Sequence, residues 1–225
     1  MKIYTLFTPT HREMFEEFFI KTLPFDSRVE LRVQFKDQTC NAEFHSEGWR
    51  DTMYYKVRCF IQGAYEVPDN EIFMFIDPDI QFFEPFVDDI LNHMSDCDAV
   101  FQNDYHGGVN TGFFALRSTK NVRAFLKTVE GNLDKFAEEQ QCFNHLISNF
   151  NKTPSIAFRA KMLPKNYWTY GEIVYNNSNK SHWDGNDLDF NIPKNLKMHH
   201  SNWTKKFEHK IPLLKLIRKK YNEIK

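Results

Sequence analysis

Ile72-Phe73-Met74-Phe75-Ile76-Asp77-Pro78-Asp79 is the stretch that decides the fold. Five apolar residues in a row, entered from the turn Pro68-Asp69-Asn70, read as a central strand buried on both faces. Two carboxylates then emerge, one residue apart, where the strand stops. In open α/β sheets ligands bind outside the carboxyl ends of the strands. Two such carboxylates repel each other unless a cation lies between them. Hard oxygen donors suit Mg²⁺ or Mn²⁺, usually shared with a substrate phosphate. The stretch therefore predicts a metal-diphosphate site at the rim of a sheet.

Working outward, strands and helices alternate. Residues 2–8 read as the first strand, ending at Thr8-Pro9-Thr10. Residues 11–23 read as a helix with Met14, Phe15, Phe18 and Phe19 on one face and Pro24 closing it. Val29, Leu31, Val33 and Phe35 alternate with polar residues as in a half-buried strand. Residues 51–65 read as a helix after Gly48-Trp49. A short helix is expected over 85–94, a strand over 99–102, a tight turn at Gly107-Gly108 and a strand over 112–116. Residues 119–129 read as a helix capped by Ser118 or Thr119, residues 134–150 as a second helix, and 155–158 as a strand. Residues 165–195 are polar, aromatic and turn-rich, and read as an ordered loop facing a ligand. The pattern predicts an α/β fold with a central, mostly parallel sheet flanked by helices.

The chain has 225 residues and is 41 % hydrophobic, enough for one sizeable core. A formal net charge of −1 gives no global pointer to nucleic acid. No stretch approaches the roughly 18–20 apolar residues of a membrane span. Residues 1–7 are too short, and too soon followed by charge, for a signal peptide. Cys40, Cys59, Cys97 and Cys142 are scattered without a CxxC pair, which predicts free thiols in a reducing, cytoplasmic compartment and no zinc site. The N-x-S/T triplets at Asn151, Asn176, Asn179 and Asn202 read as chance.

Three further segments accompany the Asp pair: Asn110-Thr111-Gly112 before an apolar run, Glu139-Gln140-Gln141-Cys142-Phe143-Asn144 in a helix, and His199-His200 followed by Lys205-Lys206. With these the chain resembles the GT-A glycosyltransferases, which move a sugar from a nucleotide diphosphate. It is most similar to their retaining, glycogenin-like branch and to small GT-A domains of large viruses and algae. The family's D-x-D, N-[ST]-G, D-Q-x-x-x-N and late His-then-Lys motifs occur in order over about residues 1–206. Glu139 stands for the usual Asp, Trp203 for the Gly between His and Lys, and Phe207 for the following Pro.

The resemblance implies a role for each residue. Asp77, Asp79 and His200 would hold Mn²⁺ (or Mg²⁺), with His199 as the alternative ligand. Lys206 would neutralise the leaving diphosphate. Thr8 and Thr10 would cradle the nucleotide, and Lys56, with Arg58 as its rival, would touch the donor. Asn110 would bond the donor sugar. Glu139 and Gln140 would lie under the reacting carbon, and Asp104 would touch donor or acceptor. Trp168, Tyr170, His182, Trp183 and Asp184 are the expected acceptor side. The implied substrates are a UDP-sugar and a glycan or glycoconjugate acceptor. The domain is expected over 1–203, with a basic helical tail over 204–225. That tail reads either as a membrane-surface helix or as a helix packed on the domain. The rival functions are a non-catalytic carbohydrate- or nucleotide-sugar-binding module and a HAD-type phosphatase. Gln81, where the phosphatase wants Thr or Val, speaks against the latter.

Overall fold

A computed structural model describes residues 1–37, 48–105, 108–150 and 159–225. The chain runs β1 (Lys2–Phe7), β2 (Glu30–Phe35), α1 (Trp49–Glu66), β3 (Ile72–Ile76), β4 (Ile80–Phe82), α2 (Val87–His93), β5 (Ala99–Asn103), β6 (Val109–Arg117), α3 (Lys120–Asn132), α4 (Glu139–Phe150), β7 (Ala160–Met162), β8 (Tyr167–Thr169), α5 (Gly171–Asn176), β9 (Met198–His200) and α6 (Lys210–Ile224). Between β1 and β2 lies a helical segment whose centre, Met14–Ile20, is wound as a π-helix. Met14, Phe15, Phe18 and Phe19 are buried, as their spacing requires.

Six strands form the main sheet in the order β2-β1-β3-β6-β5-β7. The pairs β1–β2, β1–β3 and β5–β7 are parallel, while β6 is antiparallel to both β3 and β5. Every strand but β6 therefore points the same way. A second, three-stranded sheet has the order β4-β9-β8.

The apolar run of β3 is continuous because both faces are covered, and its alternation sorts the side chains. Phe73 and Phe75 join one core with Val57 and Phe60 of α1, Phe125 of α3 and Phe143 of α4. Met74 and Ile76 join the opposite core with Phe15, Phe19, Phe82 and Ile90. β6 divides likewise, with Phe114 and Leu116 on the first side and Phe113 and Ala115 on the second. Phe60 stands edge-on to Phe75 and Phe114, with ring centroids 4.5 and 4.9 Å away.

Two sequence expectations shift. The helix expected over 134–150 begins only at Glu139. A short 3₁₀ turn, Leu133–Lys135, precedes it, and Phe136 adopts an extended backbone that breaks the helical path. Four of the rings of the aromatic stretch 165–195 belong to a third core. Trp168, Tyr170, Trp183 and Phe190 pack with Trp203 and with Leu213, Ile217 and Tyr221 of α6. The small sheet needs one face covered, and α6 covers it. Leu213, Leu214, Ile217 and Tyr221 of α6 are buried against the domain, while Ile211 and Leu216 are half-buried. No helix among the described residues is long and apolar enough to cross a membrane. Thr119 caps α3 by accepting from the Val122 amide. Cys59, Cys97 and Cys142 are free and buried. Cys40, His106, Gly107, the triplet at Asn151 and the strand expected over 155–158 lie outside the described residues.

Candidate active site

Because β1, β3 and β5 are codirectional, their carboxyl ends share one rim. That rim carries Thr8, Asp77 and Asp104. Antiparallel β6 brings its amino-terminal residues Asn110, Thr111 and Gly112 to the same edge. A register shift between Phe101 and Gln102 leaves part of β6 bulged there. Bulges beside sites re-aim side chains. The result is a cavity of about 810 Å³. The amino-terminal half of α1, the start of α4 and the segment around 200–210 form its other walls.

Asp77, Asp79 and His200 offer ligand atoms that all lie within 4.8 Å of one another. His200 Nε2 is 3.2 Å from Asp79 Oδ1 and 3.9 Å from Asp77 Oδ2. Adjacent residues of a strand point to opposite faces, so β9 can aim only one of its two histidines at the pair. His199 turns away: its Nδ1 lies 3.3 Å from Gln81 Nε2 and its ring packs on Trp168. The choice between the two falls on His200.

Gln102 fixes the tautomer of His200. Its Nε2 donates to the carbonyls of Tyr167 and Trp168 at 3.3 and 3.1 Å, so its Oε1 must face His200 Nδ1, 2.9 Å away. Nδ1 therefore donates, and Nε2 turns its lone pair toward the carboxylates. A lone pair facing a carboxylate is unfavourable unless a cation lies between them. Two carboxylates and an imidazole anchored from behind are a fitting donor set for a divalent ion.

Gly112 makes room for this arrangement. A methyl group there would sit 2.6 Å from Asp77 Oδ2, and closer still to His200 Cε1. Its backbone carbonyl accepts from the Asp77 amide at 2.7 Å. The Asn110 side chain accepts from the Gly112 amide and donates to Asp104 Oδ1 at 3.1 Å. The Asn-Thr-Gly triplet thus shapes the rim as well as lining it.

The helix motif holds that rim from the other side. Glu139 accepts from the Thr111 hydroxyl, Gln140 from the Thr111 amide, and Asn144 pairs with both the amide and the carbonyl of Val109. Lys56 bridges Asp77 and Glu139 at 2.9 and 3.0 Å. Burial opposes the Lys56 charge, but the two carboxylates outweigh it and hold the ammonium above its usual range. Burial, helped by the neighbouring Asp79 charge, raises Asp77 despite Lys56. Asp79 is also penalised by burial, yet the Lys210 ammonium beside it holds it well below the usual carboxylate range.

The cavity brings together Thr8, Lys56, Asp77, Asp79, Asp104, Asn110, Glu139, Gln140 and His200. It does not include Thr10, which is exposed, or Lys206, which is exposed and bonded to Glu208. Arg58 is exposed and paired with Glu130. Of the expected acceptor-side residues, His182 reaches the wall, stacked on Trp203 with centroids 4.8 Å apart. Trp168, Tyr170 and Trp183 are core, and Asp184 is exposed outside the lining.

Sequence reasoning missed Lys210, Gln102, His11 and Trp203. Lys210 carried a signal: it occupies the stripe of Leu213, Leu214, Ile217 and Tyr221 on α6, where a polar residue is out of place unless it has a buried partner. Gln102, at the end of an apolar strand, carried none.

A family model described as nucleotide-diphospho-sugar transferase matches residues 66–211. No curated protein matches the chain in sequence. Among solved structures, the chain is similar to a glycosyltransferase involved in glycosylation of the major capsid of PBCV-1. The TM-score is 0.58 at 14 % identity, over 96 % of this chain and 98 % of the other. It is also similar to the glycosyltransferase GlyE of Streptococcus pneumoniae (TM-score 0.55, 9 % identity, 99 % and 62 % covered). The galactosyltransferase LgtC, solved with donor and acceptor sugar analogues, gives 0.52 at 11 % identity, with 89 % and 86 % covered. At these identities the likeness is one of fold, and that fold is the GT-A fold.

Proposed function

The chain belongs to the nucleotide-diphospho-sugar transferase family, and from that premise we propose that it is a metal-dependent hexosyltransferase using a UDP-sugar and a hydroxyl of a glycan or glycoconjugate. The observation that carries this reading is the Asp77, Asp79 and His200 triad in the wall of the cavity at the sheet rim.

A divalent ion, Mn²⁺ or Mg²⁺, held by Asp77, Asp79 and His200 would supply Lewis-acid stabilisation of the leaving diphosphate. The remaining roles fall to the chain itself. Thr8 and the neighbouring backbone bond the nucleoside. Asn110, already aligned by Gly112 and Asp104, presents its amide to donor hydroxyls. Lys56 pairs with Asp77 and Glu139 from behind and holds both side chains at the wall of the cavity. Gln140 positions Thr111 at the same wall. Lys210 takes the role expected of Lys206, because a cation beside the departing diphosphate stabilises charge that grows in the transition state.

Retention of configuration fits this set of residues. The acceptor hydroxyl attacks from the face the leaving group departs, and a diphosphate oxygen takes its proton, so no protein base is required. Asp104, half-buried at the rim, is the group an inverting reaction would use instead.

The test is hydrolysis of a panel of nucleotide sugars with Mn²⁺, Mg²⁺ or EDTA, comparing wild type with Asp79→Ala. Metal-dependent UDP release from one sugar, lost in the variant, is the expected result. Failure of UDP and Mn²⁺ to bind at all would move the non-catalytic binding module to the front.

A further inference from the structure

Lys210 is an odd residue to bury. It is 8 % exposed, on the first turn of α6, in a stripe otherwise made of leucine, isoleucine and tyrosine. Its Nζ lies 2.5 Å from Asp79 Oδ2 and 2.8 Å from the Ser201 carbonyl. Ser201 locks the arrangement in return. Its hydroxyl donates to the Lys210 carbonyl at 2.9 Å, and its amide donates to the Asp79 carbonyl at 3.1 Å. With His200 at Oδ1, both oxygens of Asp79 are engaged.

Lys56 and Lys210 stand in different positions. Lys56 bridges two carboxylates and is needed there whatever else binds. Lys210 serves Asp79 alone, through the oxygen not facing His200. Electrostatics point the same way. A divalent ion entering alone must compete with an ammonium for Asp79, like charge against like. A divalent ion arriving with a diphosphate brings anionic oxygens to which that ammonium can turn.

We propose that Lys210 is a built-in counter-ion, whose ammonium holds the Asp79 carboxylate against a divalent ion, so that metal alone binds weakly and metal and nucleoside diphosphate bind together. The proposal rests on the metal-diphosphate reading of the site given above. It makes Lys210 a positioning residue for metal entry: its stem reaches Asp79 in the empty site, and the incoming diphosphate gives the displaced ammonium a new anionic partner.

The experiment is Mn²⁺ binding, followed by electron paramagnetic resonance and calorimetry, with Mn²⁺ alone and with saturating UDP. The proteins are wild type, Lys210→Gln and Lys210→Arg. Gln keeps an N–H for Ser201 and Asp79 but removes the charge. Lys210→Gln is expected to bind Mn²⁺ alone about tenfold more tightly, the size of one charge-assisted bond, and the gain on adding UDP shrinks by the same factor. Lys210→Arg stays near wild type. Folded Lys210→Gln with unchanged or weaker affinity for Mn²⁺ alone, while wild type binds Mn²⁺ with UDP, overturns the counter-ion role and leaves the site's function standing. Wild type that binds Mn²⁺ neither alone nor with UDP overturns the functional reading and this inference together. If Lys210→Gln does not fold, Lys210→Met carries the same comparison: tighter binding of Mn²⁺ alone supports the proposal, and unchanged or weaker binding overturns it.

Discussion

Gln102 Oε1 lies 2.9 Å behind His200 Nδ1, and two backbone carbonyls leave the Gln102 amide no other orientation. Gln102→Leu frees the imidazole to take the wrong tautomer. Loss of such an outer partner typically costs 10–100-fold in metal affinity. Mn²⁺ binding in the presence of UDP is therefore expected to weaken by about that factor. Gln102→Glu, which still accepts from Nδ1, is expected to bind better than Gln102→Leu. Equal binding by wild type and Gln102→Leu would remove the tautomer argument.

Gly112→Ala places a methyl group against Asp77 and His200. One of the two must retreat. Overpacking of this kind costs about 1–3 kcal/mol, which a denaturant titration reads directly. The larger effect is expected on Mn²⁺ binding, because the displaced residues are two of the three proposed ligands.

Lys56→Met leaves Asp77 and Glu139 facing each other in a buried site. Breaking a buried pair from one side costs about 3–5 kcal/mol, measured as a loss of unfolding free energy. Glu139→Gln added to Lys56→Met is expected to recover part of that loss, since one of the two stranded charges is gone.

Acid should destabilise the fold through two histidines. Burial lowers His11 to about 4 and His199 well below the ordinary imidazole value. The unfolded chain takes up these protons near pH 6.5, while the folded chain resists. Stability is therefore complete above about pH 6.5 and falls as the pH drops toward 4. The thermal midpoint is expected to follow this course, with a shallower slope in His199→Gln. A flat midpoint across that window would contradict the burial argument.

Phe60→Ala removes the ring on which Phe75, Phe114 and Phe143 converge. Emptying such a position costs about 3–5 kcal/mol. Chemical denaturation is expected to show the loss without a change in the metal-binding residues.

Much of the fold was legible because β3 and β6 are apolar on both faces, and only a sandwiched strand tolerates that. The Asp pair was legible as a candidate site because two carboxylates at a strand end repel each other unless a cation lies between them. The proposed third ligand was narrowed to two neighbours, and strand alternation turns only His200 toward the Asp pair once β9 is defined. Lys206 and Lys210 show where local reading stops. The spacing from His200 favours Lys206, yet the turn over 201–209 and the face of α6 carry Lys210 inward, and neither is set by nearby residues. The aromatic stretch misled for a related reason. Rings suited to stacking on sugars suit a small core equally well, and only the docking of α6 distinguishes the two. Gln102 had no sequence signal, because its role depends on carbonyls some 65 residues away.

The triad draws on both sheets: Asp77 closes a strand of the six-stranded layer, while Asp79 leads into β4 and His200 ends β9 of the three-stranded one. Anything that bridges these side chains is a staple between layers, so its binding energy becomes resistance to local opening. Amide hydrogens of β4, β8 and β9, and of the α6 turns packed on them, should then exchange more slowly in the loaded protein, while those of β1 and β3 hardly change. Occupancy would be written into the mechanical coherence of the smaller layer.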